Sequence, residues 1–273
     1  MDNLEALPSA PGVYIFRGEG RLPLYIGKSV DLRARVRAHL RAPDEARMMA
    51  QTRRVDFIET AGEIGALLLE ARLIKSEQPL FNIRLRRQRQ LHTLRLQALG
   101  AGLAPVLVSS REVALGRTEG LYGVFGSAHA AKDKLRELAH THRLCLALLG
   151  LEKAGARGCF GMQLGRCDGA CVGREARGAH DARLKQALAD WQVRVWPHAG
   201  AVDLVEARGD WTQRHRIDHW HHLATWCSRS GTTTLHAPSD FDLDSYKILV
   251  KPILLGQGVA PVAAAQPAWM PGA

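Results

Sequence analysis

GVYIFRGEGRLPLYIGKSVDLRARVRAHL, residues 12–40, is the stretch whose reading decides how the first third of the chain folds. Val13-Tyr14-Ile15-Phe16 and Leu24-Tyr25-Ile26 are short β-rich runs, and the glycine-punctuated Arg17-Gly18-Glu19-Gly20-Arg21 between them predicts a hairpin. After Gly27 and Lys28, Ser29 or Asp31 can cap a helix that carries Leu32, Val36 and Leu40 on one stripe and leaves Arg33, Arg35, Arg37 and His39 off it. Arg35 and His39, four residues apart, project together toward the hairpin. Two tyrosines, a lysine, several arginines and a histidine in so short a span are groups able to act on a phosphate. The plainer reading is half-buried strand aromatics beside solvating arginines, and this stretch alone does not separate the two.

Working outward, 273 residues suit one large domain or two modest ones, and a hydrophobic fraction of 46% is ordinary for a globular protein. No apolar run approaches the ~20 residues of a membrane span. The opening MDNLEALPSAPGVY lacks the basic and apolar regions of an export signal, so a cytoplasmic location with no membrane partner is expected. The net charge of +10, carried mostly by arginine, points to a polyanionic partner, with a base-composition bias of the genome as the alternative.

A second amphipathic segment over 44–52 precedes a strand at 55–60 and a strong helix over 63–75. Within that helix Glu70 has Ala66, Leu67, Leu73 and Ile74 as its i±3 and i±4 neighbours, which places a carboxylate on an apolar face. It needs a cation there, either arginine or metal, unless it lies at the solvated edge of the face. Beyond Gln78-Pro79 and Phe81-Asn82-Ile83 come Arg84, Arg86, Arg87, Arg89 and Arg95 without an intervening acid, a pattern suited to tracking a phosphate backbone. The Ala/Leu/Gly composition of 96–103 places a domain boundary near 97. Strands follow at 105–113 and 121–125, then a helix capped by Ser127, a helix over 176–193, and short β-like runs near 201–207 and 215–226. The Ala/Pro/Gly-rich residues from 256 onward are expected to be disordered.

Four of the five cysteines, Cys145, Cys159, Cys167 and Cys171, fall in one short window among glycines, which reads as a metal or cluster site more than as disulfides. Only Cys167 and Cys171 have the close spacing usual for structural zinc. Cys227 stands apart and is expected to be an ordinary buried thiol.

Cutting a phosphodiester requires a group that activates water, charge that neutralises the transition state, and help for the leaving oxygen. One divalent ion on Glu70, a tyrosine to take the proton and an Arg/Lys pair on the phosphate meet these needs, although a tyrosine of pKa about 10 is a weak base until tuned.

Gly12-Val13-Tyr14 followed by Tyr25-Ile26-Gly27 resembles the paired signature of the GIY-YIG nucleases, and the similarity continues through Lys28, Arg35, the EIGALLLEARLIK helix with Glu70, and Pro79-Leu80-Phe81-Asn82. The segment CFGMQLGRCDGACVGRE is similar to the region after the nuclease domain in UvrC-type excinucleases, particularly their short homologues. The resemblance implies an α+β fold: a GIY-YIG nuclease domain over 1–97, with a small antiparallel sheet flanked by helices; a cysteine-cluster domain over 98–195; and a small mixed α/β C-terminal region over 196–255.

The same resemblance implies roles. Tyr25 matches the general-base tyrosine, Glu70 the single ligand of Mg²⁺ or Mn²⁺, and Arg35 the group that grips the scissile phosphate. Lys28 and Tyr14 match supporting polar groups, and Asn82 an asparagine that holds the site together. His39 stands where UvrC-type chains often carry tyrosine, so its part in proton transfer is open. Arg33, Arg37, Arg84, Arg86, Arg87 and Arg89 are candidates for DNA contact. The four clustered cysteines match ligands of a 4Fe–4S cluster, with Zn²⁺ the alternative. The implied activity is incision of damaged double-stranded DNA on the 3′ side of a lesion, on a complex with UvrB and with UvrA upstream, leaving 5′-phosphate and 3′-hydroxyl ends.

Nothing resembles the UvrB-docking segment, the second nuclease or the helix-hairpin-helix pair of full-length UvrC, so a 5′ incision is not expected. Asp240, Asp242 and Asp244 fit a turn better than a second active site. Residues 196–255 are the candidate for a partner contact. A GIY-YIG nuclease acting on junctions or attached to a proofreading complex, and a DNA-binding module that no longer cuts, are the other readings.

Overall fold

A computed structural model describes residues 4–20, 22–82, 90–237 and 241–262. Along the chain come β1 (Gly12–Arg17), β2 (Pro23–Ser29), α1 (Leu32–Arg41), α2 (Ala46–Gln51), β3 (Arg54–Glu59), α3 (Glu63–Glu77), β4 (His92–Leu99), β5 (Gly102–Ser109), β6 (Leu121–Phe125), α4 (Ala128–Thr141), α5 (Phe160–Gln163), α6 (Arg177–Leu188), β7 (Val202–Arg208), β8 (Trp211–Asp218), β9 (His221–Cys227), β10 (Thr232–Leu235), α7 (Leu243–Leu254) and β11 (Val259–Pro261). They form two compact units: Met1–Gln88 together with Trp196–Ala273, and Arg89–Val195. Among the described residues no helix is long and apolar enough to cross a membrane.

In the first unit the hairpin forms as expected, and β3 joins it in the antiparallel order β2-β1-β3. Strand alternation sorts the core. Tyr14 and Phe16 pack on one face with Leu7, Leu32, Val36, Met48 and Val55, while Val13 and Ile15 pack on the other with Ile26 and Ile74. Helix α1 is capped by Asp31, whose side chain accepts from Ala34 N. Its buried stripe is Leu32, Val36 and His39, not Leu32, Val36 and Leu40. At 100° per residue a seven-residue step stays nearly in line where an eight-residue step drifts off it, so Leu40 is 44% exposed and His39 takes the core position.

The remainder of this unit is a five-stranded antiparallel sheet, β10-β9-β8-β7-β11. Cross-strand partners Asp203 and Arg216 form a buried bidentate pair at 2.8 and 2.9 Å. Val259–Pro261 pair with β7 as β11, so the chain stays ordered past the point at which disorder was expected. The expected tail beyond 262 lies outside the described residues, as does Asp240. Asp242 accepts from the amides of Asp244 and Ser245 as the N-cap of α7, which gives the FDLD turn a structural role. Helix α3 is covered on both sides, by the strands of the hairpin and by α7.

The second unit has the antiparallel sheet β5-β4-β6, with Leu94 in a core shared by Leu135, Leu138, Leu144, Leu184 and Leu188. The boundary expected at 97 falls inside β4, where Leu94-Arg95-Leu96-Gln97 alternates as a strand should and the preceding arginine run hides the pattern.

Candidate active site and thiol cluster

The site is built on the free edge of β2. This strand pairs with β1 on one side only, so alternate backbone groups at Leu24, Ile26 and Lys28 face outward and need partners. The segment after α3 supplies them: Phe81 N donates to Leu24 O at 2.8 Å, and the Asn82 amide imitates a strand by accepting from Ile26 N at 2.9 Å and donating to Ile26 O at 2.8 Å. The next outward amide, Lys28 N, donates to Glu70 Oε1 at 3.0 Å. One strand edge thus fixes both Asn82 and Glu70.

Tyr14 crosses the hairpin opposite Gly27, its register partner. A Cβ on Gly27 would lie 2.3 Å from the Tyr14 hydroxyl and 2.5 Å from its Cζ. The glycine of the second triplet is therefore there to admit the tyrosine of the first. The Tyr14 hydroxyl meets His39 Nε2 at 2.6 Å, and His39 Nδ1 is paired with Glu45. Tyr25 completes the aromatic group, its ring centroid 6.1 Å from that of Tyr14 and 5.7 Å from that of His39.

Burial dominates the electrostatics. It pushes the phenols of Tyr14 and Tyr25 up, with the Glu70 charge adding to the rise at Tyr25 and the Arg35 guanidinium opposing it at both. Burial holds His39 below its ordinary value, and Glu45 only partly offsets this. All three are neutral near pH 7. With Glu45 accepting from Nδ1–H, Nε2 is the acceptor for Tyr14, which leaves the Tyr14 oxygen able to accept from Tyr25, within hydrogen-bonding reach of it.

Glu70 is pushed above the usual carboxylate range by burial, countered by the Lys28 amide and by the charges of Lys28 and Arg35. Among the described residues its carboxylate has no ion-pair partner. Among the described residues no arginine supplies the cation expected on this helix: Arg35 is bound to Tyr14, and Lys28 Nζ to Glu63 at 2.5 Å. A half-buried carboxylate with one oxygen tied to a backbone amide and no paired cation fits a ligand of a divalent ion.

Arg37 is exposed on α1, whereas Arg33 donates from Nε to Leu7 O at 2.7 Å and pins the lead-in segment. Arg84, Arg86, Arg87 and Arg89 lie outside the described residues. Glu45 and Glu63 are site residues that the sequence did not single out, since nothing in their spacing ties them to His39 or Lys28.

In the second unit Cys145, Cys159, Cys167 and Cys171 converge. Sγ of Cys159 lies 3.6 Å from that of Cys145 and 3.4 Å from that of Cys167, and the sulfurs of Cys145, Cys159 and Cys171 are all within 4.8 Å of one another. Burial pushes the Cys145 and Cys159 thiols up, so deprotonating them requires a cation. Fully buried His180 accepts from Cys145 N at 3.1 Å and fixes the first ligand's backbone. Four thiols with no oxygen donor suit zinc or an iron–sulfur cluster. Cys227 is half-buried, contrary to expectation, because its sulfur sits at the sheet surface and accepts from Trp211 Nε1 at 3.2 Å.

Three family models match the chain in succession: the UvrC-like GIY-YIG domain at residues 10–83, the UvrC/Cho excinuclease middle domain at 92–190, and the excinuclease Cho C-terminal domain at 201–267. The excinuclease cho of Escherichia coli (strain K12) is 49% identical over 256 residues, covering 93% of this chain and 85% of that protein. The excinuclease cho of Salmonella typhi is 49% identical over 257 residues, covering 93% and 86%. A solved structure of the GIY-YIG N-terminal endonuclease domain of UvrC from Thermotoga maritima, bound to magnesium, is 33% identical over 30% of this chain and 98% of its own, with a TM-score of 0.28.

Proposed function

The chain belongs to the UvrC/Cho excinuclease family and is a DNA phosphodiester hydrolase with a GIY-YIG endonuclease domain, and from that premise we propose that it incises damaged DNA on the 3′ side of a lesion in nucleotide excision repair, acting on a UvrB–DNA complex formed with UvrA upstream. The observation that carries the reading is the convergence of Tyr14, Tyr25, Arg35 and His39 with a Glu70 that has no ion-pair partner among the described residues.

The chain's own groups divide the work. Arg35, exposed on α1 and hydrogen-bonded to Tyr14, presents its guanidinium to the scissile phosphate. Tyr25 stays a neutral phenol, so it acts as one link of a relay. Its oxygen accepts the proton of the attacking water as its own proton passes to Tyr14, and the Tyr14 proton passes to His39 Nε2. The imidazolium so formed is stabilised by Glu45. Asn82 keeps β2, and with it Tyr25, in place. Glu70 would hold a Mg²⁺ or Mn²⁺ ion, which when bound supplies positive charge to the phosphate and the leaving oxygen.

The four clustered thiols would hold a 4Fe–4S cluster, with Zn²⁺ the other occupant that an all-sulfur set admits. Contacts of 3.4 and 3.6 Å suit one tetrahedral ion as they stand. Gly158 and Gly169, at φ 91° and 81°, let the backbone turn tightly beside the thiols that would hold the cluster.

Glu70→Ala tests the nuclease reading. DNA affinity is kept and Mg²⁺-dependent nicking is lost; full nicking by this variant overturns the assignment of Glu70.

A further inference from the structure

Helix α3, which carries Glu70, has an N-cap residue with no side chain: Gly62 offers its first turn no acceptor. The acceptor comes instead from 140 residues further along the chain. Glu206 on β7 takes Ile64 N at 2.8 Å and Gly65 N at 2.6 Å, one amide on each carboxylate oxygen, where the helix dipole favours an anion. The two glycines are cut to this fit. A Cβ on Gly62 would lie 2.2 Å from Glu206 Oε1, and one on Gly65 would lie 2.9 Å from His215 Nε2 and 3.1 Å from Glu206 Oε2. Gly62 has an extended backbone, with φ −155°, so room for Glu206, not conformation, is what calls for glycine.

Further contacts repeat the pattern along the helix. Just before α3, Ala61 N donates to Gln213 Oε1 at 2.8 Å and Glu59 pairs with Arg208 at 2.5 Å. In its middle, Arg72 donates to His236. Toward its end, Lys75 pairs with Asp242 and, at 2.9 Å, with Asp244. Glu70 sits five residues from the Gly65 clamp and five from the Lys75 clamp, about 7.5 Å along the axis from each. Its bond to Lys28 N, at 3.0 Å, tolerates little sliding or rotation of the helix.

We infer that the C-terminal sheet, at the start of α3, and the first turn of α7, at its end, form a built-in brace that holds α3 at both ends and thereby sets the Glu70 carboxylate, with Glu206 as the principal positioning residue. The inference rests on the reading of Glu70 as the ligand of the catalytic cation. It assigns the C-terminal region a role within the chain itself, where the sequence suggested a partner contact.

Four full-length variants test it: Glu206→Ala, Glu206→Gln, Gly62→Ala and Glu70→Ala. Three measurements apply: amide exchange at Ile64 and Gly65 in metal-free protein, Mn²⁺ affinity by titration calorimetry, and nicking as a function of Mn²⁺. Glu206→Ala speeds exchange at both amides and weakens Mn²⁺ binding about tenfold, as loss of a group that orients a metal ligand does. Saturating Mn²⁺ restores most of the nicking rate. Gly62→Ala gives the same result by displacing Glu206 while leaving the sheet's side chains intact, so it decides the matter if Glu206→Ala does not fold. Glu206→Gln, which keeps a carbonyl acceptor, falls between these and wild type. Wild-type Mn²⁺ affinity in both Glu206→Ala and Gly62→Ala overturns the brace. Wild-type affinity in Glu70→Ala overturns instead the reading on which it rests.

Discussion

Replacing Asn82 with alanine should loosen the strand that carries Tyr25. The Asn82 amide makes two hydrogen bonds, to Ile26 N at 2.9 Å and Ile26 O at 2.8 Å, on a residue that is fully buried. Water cannot take their place without an opening of the strand edge. An unsatisfied buried donor or acceptor costs about 1–3 kcal/mol, so losing both partners should cost the local structure about 2–6 kcal/mol. At about 1.4 kcal/mol per factor of ten, this is a rise of at least roughly 30-fold, and up to about 20,000-fold, in the exchange rate of the Ile26 amide. Hydrogen exchange read residue by residue measures it directly, and nicking under saturating metal should fall while DNA affinity stays. Phe81 N, bonded to Leu24 O, should remain protected, which separates loss of the Asn82 bonds from unfolding of the whole segment. An Ile26 amide as protected in Asn82→Ala as in wild type refutes the account of the strand edge.

The remaining predictions concern the relay and the thiols. His39 must be neutral to accept from Tyr14, and burial holds it below its ordinary value of 6.5. The nicking rate should therefore hold down to pH 6.5 and fall only below it. Glu45→Gln removes the anion that opposes this shift, so the acid limb should move lower still while the rate drops; a limb above pH 7 contradicts the relay. Anaerobically prepared protein should contain iron and acid-labile sulfide, and replacement of Cys159 with serine should abolish both. Stoichiometric zinc without iron contradicts the cluster and identifies the alternative occupant.

The hairpin and α3 are legible because their signals are local: two β-rich runs around a glycine-rich turn, and a run made mostly of strong helix formers. Glu70 stands out for the same reason, being the one acid among apolar neighbours. What the residues around it do depends on contacts that spacing does not encode. The Glu70 carboxylate is bonded by a backbone amide of a strand edge, and Gly27 is small because Tyr14 needs the space. A one-residue error in the stripe of α1 hid the burial of His39, on which its proton chemistry rests. Strand β4 was masked by the arginine run before it. Glu206 was invisible for the plainest reason: its partners Ile64 and Gly65 are more than 140 positions away and bond through backbone amides, which carry no sequence signature.

The most direct test of the functional reading is incision of a duplex carrying one bulky adduct, assayed with and without UvrA, UvrB and ATP. The account predicts Mg²⁺-dependent cutting only when all are present, at one position 3′ to the adduct, lost in Glu70→Ala. Cutting that ignores the adduct and the other proteins, or that falls on the 5′ side, contradicts it.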